Sequence, residues 1–199
     1  MRQGTVTKRL VPVMLAVCAI AVSACVPFKV ASPAPRMLLW GDSFGQSVAP
    51  YLAARADYQV RAYGGTAPCD WLSDIHATAA SRPPAVAVLL FVGNTHTPCT
   101  GHTTAGYAAD MVLATTTLRA AGSRVVIVAA PPFGGGPSPN PINAAYVPST
   151  TVGAQLVWGP SESVAPGGLY TSTFRNADGV HLNGEGARRF AEAVGKEVG

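Results

Sequence analysis

Apolar runs of strand length, each closed by Gly or Pro, alternate along this chain with stretches of helical periodicity. That alternation confines the fold to a parallel sheet covered by helices. Residues 37–40 read as a first strand ending at Gly41, and 58–63 as a second ending at Gly64-Gly65. The run 85–92 is almost uninterruptedly apolar, as a central strand buried on both faces requires, and it ends at Gly93. Residues 125–130 and 156–158 supply a fourth and a short fifth strand. Between them, 47–56 can form a helix that Pro50 restricts to its first turn, and 70–79 is a helical stretch. Residues 104–121 carry Met111, Thr115 and Leu118 at helical spacing, with Gly122 as the stop. A last helix starts near Asn183, with Ala187, Phe190, Ala191, Val194 and Val198 as its apolar stripe. The expectation is an α/β fold: a three-layer α/β/α sandwich with about five parallel strands in flavodoxin-like order. The Gly/Pro/Ser-rich stretch 131–141 is expected to be a loop at the rim of the site.

The first residues carry a different signal. Arg2, Lys8 and Arg9 precede an apolar stretch, 10–22, that is too short to span a bilayer comfortably. Residues 1–24 therefore read as a secretion signal. Val22-Ser23-Ala24-Cys25 resembles the bacterial lipobox, in which the Cys thiol receives diacylglycerol. Two acyl chains suffice for stable anchoring where one is marginal. The expected mature protein is a lipoprotein on the outer face of the cell membrane, with Cys25 lipidated, 25–35 as a tether and 36–199 as the folded domain.

Removing residues 1–24 takes three of the 14 basic residues and none of the 10 acids, leaving 11 Lys+Arg against 10 Asp+Glu. A near-neutral chain has no basic stripe, so nucleic acid is excluded as a partner. Of the four cysteines, Cys18 belongs to the signal and Cys25 to the anchor, which leaves Cys69 and Cys99. In an oxidising compartment two such cysteines are expected to form one disulfide. The rival reading, a zinc site of His96, Cys99 and His102, matches no standard ligand spacing and lacks a fourth ligand.

Gly41-Asp42-Ser43-Phe44-Gly45 stands where the first strand meets a helix. It fits the G-x-S-x-G elbow that exposes a nucleophilic serine, and equally the Gly-Asp-Ser opening of the SGNH (GDSL-like) hydrolases. Position favours the second: an α/β-hydrolase elbow follows several strands, whereas fewer than about twenty mature residues precede Ser43. Taken alone, Ser43 reads as a helix N-cap. Asp42 reads as a scaffold for the turn rather than a base.

Asp178-Gly179-Val180-His181 forms the second block, just before the last helix. A carboxylate three residues ahead of a histidine can accept from Nδ1 while Nε2 faces a nucleophile. With the distant Gly-Asp-Ser, this pair resembles the last block of SGNH hydrolases. Gly64-Gly65 and Gly93-Asn94 fall where that family keeps its oxyanion glycine and asparagine. The resemblance thus implies Ser43, His181 and Asp178 as a catalytic triad. It also implies an oxyanion hole from the N–H of Ser43, the N–H of Gly65 or Gly64, and the Asn94 amide. The third block departs from Gly-x-Asn-Asp, because Gly93 abuts Asn94 and Thr95 replaces the Asp. The Cys69/Cys99 pair and the Pro-rich rim look similar to SGNH domains associated with O-acylation of envelope sugars.

The function implied is an extracytoplasmic serine esterase acting on a small-molecule or envelope acyl ester, with no metal or organic cofactor. One rival is acyl transfer to or from envelope glycan or lipid; the other is a catalytically silent lipoprotein that only binds a ligand. If the second and third strands flank the first, Cys69 and Cys99 lie a few residues past Gly65 and Asn94, and a bond between them is expected to pin both oxyanion loops together.

Overall fold

In the computed structural model, residues 34–199 are described. The expected signal 1–24, Cys25 and nearly all of the expected tether 25–35 lie outside the described residues. Five parallel strands form one sheet in the order β2-β1-β3-β4-β5, from β1 (Met37–Gly41), β2 (Tyr58–Ala62), β3 (Val86–Leu90), β4 (Arg124–Val128) and β5 (Gln155–Val157). Burial follows this order. All five residues of β1 and of β3 are buried, whereas only Tyr58 is buried in edge strand β2. Such strands must be apolar throughout, which is why 37–40 and 85–92 stood out in the sequence.

The principal helices are α1 (Ser43–Leu52), α2 (Pro68–Ser81), α3 (Thr104–Ala120) and the final α6 (Gly184–Val198), with the shorter α4 (Val147–Thr151) and α5 (Gly159–Val164) between α3 and α6. Helices α1, α5 and α6 pack together, as do α2, α3 and α4, so the sheet lies between two helical layers. The three-layer, flavodoxin-like expectation is met. The first helix differs from the expected 47–56. Asp42 caps it directly at the strand end by accepting from the Phe44 N–H, so it starts at Ser43, and Pro50 lies inside it with its ring exposed.

Register fixes the site. Gly41 is level with Ala62 on β2 and with Leu90 on β3, so the three strands leave the sheet at one edge. Strand order reverses between β1 and β3, and in open α/β sheets that switch point is the crevice where ligands bind. Ser43, Gly65 and Asn94 all follow within a few residues of that edge. Residues 131–140 are irregular as expected, but 141–146 form a 3-10 turn that runs into α4. Asn143 braces this segment, accepting from the Ala130 N–H at 2.7 Å and donating to the Ala130 carbonyl at 3.0 Å.

Candidate active site

The two glycines around the Ser43 turn are required by packing. A Cβ on Gly41 would lie 2.6 Å from the Leu90 carbonyl oxygen, and one on Gly45 would lie 2.9 Å from the Ala62 Cβ. Any side chain at these positions would push β1 and α1 off their neighbours, so the motif lets a helix start hard against the sheet. Capping by Asp42 also settles what Ser43 is not. The hydroxyl of Ser43 is not the cap, and as first residue of α1 its N–H has no acceptor within the helix.

Asp178 and His181 form a tight pair. Asp178 Oδ1 accepts from the backbone N–H of Val180 at 2.8 Å and of His181 at 2.9 Å, while Oδ2 accepts from His181 Nδ1 at 2.8 Å. The imidazole hydrogen bond, followed by the two backbone donors, holds the Asp178 carboxyl down at about 2. Both side chains are close to half exposed, so the pair stands open to solvent on the rim. Its loop is tied to the β4 loop by the Gly134 N–H donating to the Gly179 carbonyl at 2.9 Å. The neighbouring Phe133 ring is 6.2 Å from that of Phe44, the residue after Ser43. Tyr51 of α1 further donates to the Gly184 carbonyl at 3.0 Å. Ser43 and His181 are thus carried by elements packed on one another, but no hydrogen bond joins Ser43 Oγ to the imidazole in this conformation.

On the other side of Ser43, Gly65 has φ +82° and Asn94 φ +60°. The Gly64 N–H donates to Gln46 Oε1 at 3.1 Å. Asn94 Nδ2 donates to the Thr66 carbonyl at 3.0 Å, joining the loops after β2 and β3. A second join is the Cys69–Cys99 disulfide, with Cα atoms 5.9 Å apart. Cys69, Asp70 and Cys99 lie close together, but the two sulfurs are bonded to each other and offer no thiolates to a metal.

A model of the SGNH domain, described as fused to AT3 domains, matches residues 15–156, which is 142 of the 199 positions. The chain belongs to the SGNH family. The SGNH match contains Ser43, Gly64, Gly65 and Asn94 and ends before Asp178 and His181. Solved structures agree at the level of fold. A putative acylhydrolase from Bacteroides fragilis has a TM-score of 0.65 at 18% identity, covering 83% of this chain and 89% of its own. An esterase, EstA, from Pseudoalteromonas has a TM-score of 0.60 at 14% identity, covering 82% and 96%. A carbohydrate acetylesterase, Est24, from Sinorhizobium meliloti has a TM-score of 0.55 at 16% identity, covering 82% and 98%. No curated protein matches the chain in sequence.

Beside Asn94 the SGNH crevice opens into a cavity of about 380 Å³ lined by Val92, His96, Phe133, Pro137, Pro141 and Ile142. His96 therefore lines it, whereas His102 sits with Nδ1 2.7 Å from the His96 carbonyl oxygen. Sequence reading missed the long-range hydrogen bonds that brace the crevice, including the second one made by Asp42. Asp42 Oδ2 accepts from the Val92 N–H at 2.8 Å, Tyr146 donates to the Phe91 carbonyl, and buried Arg175 donates to the Pro132 carbonyl at 3.3 Å. None has a local signature, because each partner is 43 or more residues away.

Proposed function

We propose that this SGNH protein is an extracytoplasmic serine esterase with Ser43 as nucleophile, His181 as general base and Asp178 as its orienting carboxylate. The observation that carries the reading is the Asp178–His181 pair, in which the ionised Asp178 carboxylate lies 2.8 Å from His181 Nδ1 and so favours the tautomer that leaves Nε2 as the acceptor, on a loop bound to the surroundings of Ser43. In the reaction, His181 Nε2 takes the Ser43 proton and Oγ attacks the ester carbonyl. The tetrahedral intermediate collapses, the alcohol leaves with the proton from His181, and water then releases the acid from the acyl-enzyme. The missing Ser43–His181 hydrogen bond is one that forms with substrate present, as catalytic hydrogen bonds often do.

Three donors serve the oxyanion: the Ser43 N–H, the Gly65 N–H and the Asn94 amide. Gly65 is chosen over Gly64 because the Gly64 N–H is already given to Gln46. Asn94 Nδ2 has two hydrogens, and only one goes to Thr66. The apolar cavity beside Asn94 suits the acyl group, which leaves the alcohol half toward solvent.

The test is labelling of purified protein with a fluorophosphonate. The expected result is labelling that Ser43→Ala abolishes, and an unlabelled wild type would instead mark the protein as a silent binder. Acyl transfer to an envelope glycan or lipid is the second reading, supported by the fused-domain description of the family model. Release of acid from p-nitrophenyl acetate with no acceptor present favours hydrolysis over that transfer.

A further inference from the structure

Asp42 is the one buried acid of the crevice that the proposed reaction does not use. It has no solvent exposure. Its Oδ1 accepts from the N–H of Phe44 at 2.9 Å, one residue past the nucleophile, and its Oδ2 from that of Val92 at 2.8 Å, two residues before Asn94. The Asp42 N–H donates to the Leu90 carbonyl at 3.3 Å, and Tyr146 holds the Phe91 carbonyl. Three consecutive residues at the exit of β3 are therefore fixed by Asp42 and Tyr146 on the way to Asn94, whose backbone is itself in the left-handed region.

A cap alone does not call for this residue. Asn or Ser caps a helix as well as Asp does and carries no charge into the interior. What a carboxylate adds is two acceptor oxygens, one for each of two N–H groups that approach from different elements, Phe44 in α1 and Val92 just past β3. An Asn would turn its NH₂ toward one of those donors. Tyr107 on α3 and Tyr146 on the 3-10 turn lie within electrostatic reach of Asp42; both are kept neutral by burial, and neither is a cation.

We propose that Asp42 is a positioning residue that locks the Ser43 turn and the Asn94 loop into one unit, so that the oxyanion donors from β1 and β3 keep a common focus. The proposal rests on the esterase reading above. Its test is a double-mutant cycle of Asp42→Asn and Asn94→Ala, with kcat and KM measured on a p-nitrophenyl ester. Loss of one oxyanion donor lowers kcat about 10²–10³-fold, which is expected for Asn94→Ala. Asp42→Asn is expected to lower kcat about 30-fold with KM changed less than about threefold, since the focus of the donors matters only in the transition state. The double variant is expected within about threefold of Asn94→Ala alone, because both changes act on the same donor.

A double variant that falls by the product of the two single effects would overturn the proposal. So would an Asp42→Asn loss carried by KM. Tyr146→Phe keeps Asp42 and deletes only the hydroxyl on Phe91. It is expected to lower kcat about threefold at unchanged KM, and wild-type kcat in that variant overturns the proposal whatever Asp42→Asn does. Failure of the esterase reading looks different: the wild type then neither hydrolyses the ester nor takes up a fluorophosphonate. Uptake by wild type and by Asp42→Asn at equal rates overturns only the positioning role.

Discussion

Asp178 commits both oxygens, one to two backbone donors and the other to the His181 ring, so its shape is as constrained as its charge. An Asn at 178 could keep the backbone bonds through its carbonyl, but its NH₂ would then face Nδ1 and favour the tautomer with the proton on Nε2. That tautomer cannot accept the Ser43 proton. Asp178→Asn is therefore expected to lower kcat by about 10⁴-fold, as the equivalent change does in the serine-protease triad, with KM nearly unchanged. Steady-state kinetics on a soluble ester checks this, and a loss below about tenfold would remove Asp178 from the mechanism. This pair was legible in the sequence because its three hydrogen bonds all close within three residues. The Ser43 turn was legible through its flanking glycines, whose small size the close approach of Gly41 to Leu90 on β3 and of Gly45 to Ala62 on β2 demands. Asp42 was legible only as a turn scaffold, since its second partner, Val92, is 50 residues away and leaves no trace in local pattern.

The elements show the same division between local and distant causes. Strands β1, β3 and β4 follow directly from apolar runs that only a doubly covered sheet can bury. Helices α4 and α5 and the 3-10 turn at 141–146 were not legible: each has six residues or fewer, starts with Pro in its first two positions, and shows too few turns for a periodicity to appear. The 3-10 turn holds because its own Asn143 and Tyr146 tie it to residues just past β4 and β3, while α5 packs on α6. The disulfide acts at this scale too. Cys69 lies in the first turn of α2 and Cys99 in the 3-10 turn before α3, so the bond spans the two elements that follow Gly65 and Asn94. Closing a loop of 30 residues contributes about 3–4 kcal/mol through the unfolded state. The Asn94–Thr66 hydrogen bond does not depend on the disulfide, but it is a single bond at 3.0 Å between those loops. Mild reductant is thus expected to lower esterase turnover while the far-UV circular dichroism of the sheet is still native. Coincident loss of activity and of the circular dichroism signal would show that the bond only stabilises the fold.

Over the whole molecule two long-range terms remain, the membrane tether that the proposed function includes and the charge. Anchoring through Cys25 predicts incorporation of radiolabelled palmitate that Cys25→Ser abolishes; label retained in that variant would end the lipoprotein reading. Charge enters stability mainly through Asp42, because burial without a facing cation pushes its carboxyl up to about 6, against 3.8 in a solvated chain. The folded protein therefore binds this proton more tightly than the unfolded one. The stabilisation this gives is complete below about pH 4, falls away as pH rises toward 6, and is gone above that, a change on the order of 3 kcal/mol. Asp178 works in the opposite sense: its depressed carboxyl stabilises above about pH 4, and that contribution disappears as pH falls toward 2. The two windows hardly overlap, so the difference in melting temperature between wild type and Asp42→Asn isolates the first. From pH 4 to 7 the wild type is expected to lose stability relative to Asp42→Asn, and melting curves that stay parallel across that interval would mean the carboxylate carries no such cost. A crevice that keeps a charged clamp at neutral pH, where the clamp is least favourable to folding, has given up stability for the fixed geometry of its donors.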